Sequence, residues 1–206
     1  MGIKQIIYVT LMFSLSCRKI MSRHCRPVVL APIAICLLTM ISAQAADSAI
    51  EAKIGAKKTQ VERIVADISA PRIEAYIRKL VSFQTRHSMS DTRSETTGIG
   101  AARRWIRSEL ERCGAGRLEV GFDSHVAPAG PRLSSPTEIV NVVARLKGNI
   151  SSDRYYVVNG HYDSRASDVM DAKSFAPGAN DDASGTAAVM EMACVMARHK
   201  FDATLV

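Results

Sequence analysis

The chain has 206 residues, 47% hydrophobic and 23% charged, a composition that suits one domain with a buried core and excludes a disordered polar chain. Its formal charge of +7 excludes less than it suggests: residues 1–45 hold five of the 27 Lys and Arg and none of the 20 Asp and Glu, so the rest carries only +2. With the basic leader set aside, the electrostatic basis for a nucleic-acid partner is gone.

That leader has the three parts of a secretory signal. Arg23 and Arg26 precede an apolar run from Val28 to Ile41, and Ser42-Ala43-Gln44-Ala45 follows as a small-x-small cleavage site, so residues 1–45 read as a signal peptide cut after Ala45. The run is shorter than the ~20 residues a membrane-spanning helix needs. Export to a periplasm or the medium, with no stable membrane insertion after cleavage, is expected; the alternative is an anchor formed by the uncleaved segment together with the apolar run Ile6–Leu15. Met21 begins a self-sufficient signal and is a possible true start. Cys17, Cys25 and Cys36 would leave with the leader, and Cys113 and Cys194 would remain. Export permits a disulfide between them, but their separation carries no pairing information, and two buried thiols read equally well.

Residues 46–70 form a helical lead-in, with Ile50, Ile54, Val61, Ile64, Val65 and Ile68 at roughly helical spacing from Asp47 to Ser69. A fresh helix starts at Ser69-Ala70-Pro71, presents Ile73, Ile77, Leu80 and Val81 on one face, and ends near Phe83. Gln84–Gly98 is polar and reads as a surface loop. A third helix spans Ile99–Cys113, with Ala102, Trp105, Ile106 and Leu110 on its apolar face and Gly114 as its stop. Leu118–Phe122 alternates like a strand, and a Pro/Gly/Ser loop covers Pro128–Pro136. Two β-rich runs follow, Ile139–Leu146 and Tyr155–Asn159. The second is nearly all apolar and predicts a buried central strand that delivers Gly160-His161 at its C-terminal end. Ala183–His199 then reads as an apolar helix and Thr204–Val206 as the opening of another strand, an α/β order.

The chemistry sits in Gly160-His161-Tyr162-Asp163-Ser164 and Pro177-Gly178-Ala179-Asn180-Asp181-Asp182-Ala183-Ser184-Gly185. On an extended segment His161 and Asp163 point to the same side. A neutral imidazole is a favoured zinc ligand, and a carboxylate on its other ring nitrogen fixes the tautomer. Asp181, twenty residues on, is the natural second ligand, since a carboxylate can bridge two cations about 3.5–4 Å apart. Each piece alone is weak. A His-x-Asp triplet is common by chance, and Asp182 serves equally well as a helix N-cap. The acidic residues lack the Asp-x-Asp-x-Asp-Gly alternation of a calcium loop, and neither Ser164 nor Ser184 sits in a Gly-x-Ser-x-Gly elbow. His87, His125 and His199 have no spaced partner and read as surface residues.

Taken together, the two segments and the small-residue helix after them resemble the aminopeptidase Y and bacterial leucyl aminopeptidase family, metallopeptidase family 28. The resemblance extends more loosely through Thr96–Ile106 and Ser135–Val142 back to about Pro71. It implies a three-layer α/β/α fold with a mixed central sheet, of which residues 71–206 would be the N-terminal part, truncated at the C-terminus. It implies His161 as a ligand of one zinc, Asp163 as the catalytic-site residue orienting it, and Asp181 as the bridge between two Zn2+ ions. A cis peptide bond at Asp181-Asp182 is also implied. The family's Glu-Glu pair, one glutamate acting as general base, and its later aspartate and histidine ligands have no counterpart before Val206. The expected activity is therefore that of a zinc-dependent exopeptidase acting on peptide or protein N-termini, carried here by a fragment inactive alone. Its rivals are a non-catalytic module of the same fold and a single-zinc glutaminyl cyclase. The cyclase is disfavoured because those relatives carry Ser where Asp182 stands. The oligomeric state is left open by the sequence.

N-terminal sequencing of the exported chain is expected to start at Ala46; a mature protein that still begins at Met1 or Met21 would show the leader to be retained.

Overall fold

The computed structural model describes residues 59–206, so the leader and the first part of the predicted lead-in helix lie outside the described residues. Residues 59–67 are helical, but Val61 and Val65 are exposed and only Ile64 and Ile68 are partly covered, so the expected apolar face is only half used.

Helix α1 runs over Ala70–Ser82, where predicted. The Ser69 hydroxyl accepts from the Arg72 N–H at its start, and the proline sits in the first turn, where its missing N–H costs nothing. Helix α2 spans Gly98–Gly114 and stops with Ala115 in the left-handed conformation. Strands β1 (Glu119–Ala127) and β2 (Thr137–Arg145) pair antiparallel, with Val120 opposite Ala144 and Phe122 opposite Val142. Strand β3 (Ser151–Tyr156) pairs in parallel with β4 (Ala203–Leu205), and reciprocal hydrogen bonds between Leu146 and Leu205 join the two pairs edge to edge. Helix α3 covers Ser184–Met196.

The core lies between the three helices and one face of the β1–β2 pair. Tyr76, Leu80, Ile106, Leu110, Ala187 and Met190 are buried together, and Val120, Val142 and Ala144 pack against them. Trp105 fills the angle between α1 and α2, its ring edge-on to Tyr76 at 5.9 Å between centroids. Cys113 at the end of α2 is bonded to Cys194 in α3, which settles the pairing that spacing left open.

Two expectations need correction. Tyr155–Val158 is not a buried central strand: Tyr155, Tyr156, Val157 and Val158 are all more than half exposed, because β3 meets only the short β4 and no described element covers its side chains. Residues 84–98 do connect two helices, and 91–97 lie mostly at the surface as expected, but 85–90 are a packed segment. Thr85, Arg86, His87 and Ser90 are buried there, and the Ser90 hydroxyl accepts from the Ile99 N–H and donates to the His87 carbonyl.

A buried carboxylate ties the helical layer together. Glu191 of α3 is fully buried and accepts from the Arg72 guanidinium at 2.6 and 2.9 Å and from the Ser69 N–H at 2.8 Å, so it fixes the start of α1 to α3. Burial acts to raise the Glu191 carboxyl, but the Arg72 and Ser69 hydrogen bonds outweigh it and hold the group below the ordinary glutamate value. A depressed folded-state value stabilises the fold above the unfolded-state pKa of about 4.3, and that stabilisation is lost as pH falls. Glu191→Gln is therefore expected to lower stability by about 1–3 kcal/mol at neutral pH. It should also flatten the decline of the urea midpoint below pH 5 relative to wild type; parallel declines in the two proteins would refute the assignment.

Candidate metal site

The site is built from two irregular segments, residues 160–164 after β3 and residues 176–183 before α3. Gly160 is what lets the first reach the second: a Cβ there would stand 2.7 Å from the Thr186 nitrogen in the first turn of α3. Gly178 serves the second segment. Its φ is +48°, a conformation other residues adopt with difficulty, and a Cβ would meet the Ser164 side chain at 2.6 Å.

His161 stands at the centre, half exposed. Its Nδ1 lies 3.1 Å from Asp163 Oδ1, and its Nε2 lies 3.1 Å from Asp181 Oδ1. With Nδ1–H donating to Asp163, the Nε2 lone pair faces a carboxylate oxygen. Two electron-pair donors at that distance require a positive species between them, a proton or a metal ion. Zinc bonds of 2.0–2.2 Å to nitrogen and oxygen place tetrahedral donors about 3.3 Å apart, so His161 and Asp181 fit as two donors to one zinc. Among the described residues no set of three His, Cys, Asp or Glu is grouped to hold a metal. Asp163 occupies the far ring nitrogen.

Asp182 does something else. The peptide bond between Asp181 and Asp182 is cis, and Asp182 Oδ2 also lies 4.0 Å from His161 Nε2, but both its oxygens are engaged by backbone N–H groups. Asp182 Oδ1 accepts from the Gly185 N–H at 2.9 Å and Oδ2 from the His161 N–H at 3.1 Å. It thus caps the start of α3, where a negative charge also suits the helix dipole, and ties that helix to the histidine's own backbone.

Arg86 escaped sequence reasoning altogether. Its side chain is fully buried, donating from Nε to the Tyr162 carbonyl at 2.6 Å, from Nη1 to the Leu80 and Pro177 carbonyls at 2.8 Å each, and from Nη2 to the Gly178 carbonyl at 3.1 Å. Burial pushes the guanidinium down to about 10, with Asp163 acting in the opposite direction. Ser164 closes the same junction, its hydroxyl accepting from the Arg86 N–H and donating to the Ala176 carbonyl. Tyr162, between the two site residues, turns inward and donates to the Val140 carbonyl at 2.6 Å; burial pushes its phenol up to about 12.

Two of the histidines expected on the surface are not free there. His87 is buried, its Nδ1 accepting from the Met89 N–H and its Nε2 paired with the Val169 carbonyl. His199 is half-buried, and of the three only His125 is exposed.

The fold thus brings a histidine, a carboxylate on its Nδ1 and a second carboxylate on its Nε2 to one strand-to-helix junction. Residues 141–206, which contain His161, Asp163 and Asp181, match the model of peptidase family M28. It is 49% identical over 154 residues to a probable zinc metalloprotease of Leptosphaeria maculans, covering 73% of this chain and 36% of that protein. It is 45% identical over 170 residues to a probable zinc metalloprotease of Pyricularia oryzae, covering 81% and 32%. The chain thus spans about a third of the length of these curated relatives. The fold resembles a leucine aminopeptidase precursor from Bacteroides thetaiotaomicron, with a TM-score of 0.54 and 19% identity over 68% of this chain and 45% of that one. It also resembles the Tannerella forsythia glutaminyl cyclase, with a TM-score of 0.52 and 21% identity over 67% and 45%.

Replacing Asp182 by Ala removes the acceptor of both the Gly185 and the His161 N–H groups and is expected to cost about 1–2 kcal/mol in urea unfolding. Asp182→Asn, which still caps, should recover most of that loss; equal losses in the two variants would exclude the capping role.

Proposed function

We propose that the chain is the N-terminal part of an exported zinc-dependent exopeptidase that removes residues from peptide or protein N-termini. The observation that carries this reading is the placement of His161 Nε2 and Asp181 Oδ1 3.1 Å apart with Asp163 on the opposite ring nitrogen. In this reading His161 would be a zinc ligand, Asp163 would fix its tautomer, and Asp181, on an exposed side chain, would serve as the bridging ligand. Zinc bound there supplies Lewis acidity toward a scissile carbonyl and lowers the pKa of water. The rest of the zinc shell and the general base would come from chain outside these 206 residues, in keeping with relatives of which the match covers only about a third.

Export is supported by the leader and by the Cys113–Cys194 bond, since disulfides persist in oxidising compartments. The near-neutral charge beyond residue 45 supports a peptide rather than a nucleic-acid partner.

Two measurements test the reading. A version extended to the length of the relatives is expected to bind close to two zinc ions and to hydrolyse an aminoacyl-nitroanilide, with His161→Ala reducing turnover at least 100-fold. The 206-residue chain should show no zinc-dependent hydrolysis above background. Zinc stoichiometry near zero in the extended protein would favour a non-catalytic module. Hydrolysis by the short chain that disappears on His161→Ala would show that it is no inactive fragment.

A further inference from the structure

Arg86 presents a physical problem. It is fully buried, and no Asp or Glu among the described residues forms an ion pair with it. Placing a cation in the interior is costly unless it is paired, and apolar packing of the same volume is often as stable. Its charge is met instead by four backbone carbonyls, and their positions are informative. One belongs to Leu80 in the last turn of α1. One belongs to Tyr162, between His161 and Asp163. The other two belong to Pro177 and Gly178, at the start of the turn that carries Asp181.

These carbonyls come from three segments distant in sequence, and a planar guanidinium with N–H groups in fixed directions sets all three relative to one another, as the point charge of a lysine cannot. The backbone of Arg86 adds to the clamp, because its N–H donates to the Ser164 hydroxyl and its carbonyl accepts from the Ser164 N–H. The left-handed Gly178 is part of the same fit: a Cβ there would lie 3.0 Å from Arg86 Nη2.

We propose that Arg86 is a positioning residue of the metal site, its guanidinium locking the segment of His161 and Asp163 against the turn of Asp181 and so setting the spacing of the two zinc donors. The proposal rests on the zinc-site reading above.

The test uses the version extended to the length of the relatives and its Arg86→Gln, Arg86→Lys and His161→Ala variants, titrated with zinc against a chromophoric chelator. Amide hydrogen exchange is followed in the metal-free proteins. Arg86→Gln is expected to weaken zinc binding 10–100-fold, the usual effect of removing a group that orients metal ligands. Exchange should quicken at the Ser164 and Ala183 amides, which bond to the Arg86 and Gly178 carbonyls, while the amides of α2 and the body of α3 keep their protection. Arg86→Lys retains the charge without the fork and should fall between wild type and Gln; it also carries the test if the Gln variant does not fold. Zinc affinity within twofold of wild type in a folded Arg86 variant would overturn the proposal. So would exchange that quickens uniformly across α2 and α3, since that marks a general role in stability. If the extended wild-type protein takes up no zinc, or its His161→Ala variant takes it up equally well, the zinc-site reading itself fails and the proposal falls with it.

Discussion

Irregular backbone in a protein interior must find partners for every N–H and C=O, and this constraint governs the junction on which the candidate site stands. Residues 160–164 and 176–183 belong to no strand or regular helix, yet they run against α1, the segment 84–90 and the first turn of α3. Side chains and neighbouring segments supply what secondary structure would otherwise provide. The Arg86 guanidinium takes the carbonyls of Tyr162, Pro177 and Gly178, and the Ser164 hydroxyl takes that of Ala176. The Ala176 N–H donates to the Gln84 carbonyl, and the Asp182 carboxylate receives the N–H groups of His161 and Gly185. With their backbones satisfied from beneath, the two segments can turn His161, Asp163 and Asp181 outward.

The division of labour between adjacent aspartates follows from the same geometry. Asp181 and Asp182 are chemically identical and adjacent, but their burial differs sharply: the Asp181 side chain is 82% exposed and that of Asp182 24%. Each oxygen of the covered carboxylate is occupied by a backbone N–H, which leaves it little capacity for a cation. The exposed one has only the imidazole at contact distance. Environment alone separates a structural acid from a candidate ligand.

What sequence reasoning could read, and what it could not, divides along the same line. The meeting of His161, Asp163 and Asp181 was legible because it is local: side chains two apart on an extended segment share a side, and a small-residue turn before a helix brings an acid to it. The helices were legible because α1 and α2 carry an apolar face at the helical period. Arg86 was not, because a lone arginine in a polar stretch reads as a solvated charge. Its role depends on carbonyls drawn from residues 80, 162, 177 and 178, which only the tertiary fold assembles. His87 and Ser90 were misread for the same reason. The error at Tyr155–Val158 has the opposite origin: an apolar run states that a strand suits burial on both faces, but not that any described element will cover it.

The exposure of β3 sharpens the role of the helical layer. Among the described residues the strand leading into His161 has only β4 beside it, and four consecutive apolar residues there, Tyr155–Val158, are more than half exposed. The inner side of the junction is held far better. Glu191 fixes α3 to the start of α1 through Arg72 and Ser69, the Cys113–Cys194 bond fixes α3 to the end of α2, and Asp182 fixes the first turn of α3 to His161. All three attachments converge on α3. The position of the histidine is therefore set less by the strand that delivers it than by the helix that receives it, and the geometry of His161 against Asp181 depends on how firmly α3 and Arg86 hold the two segments together.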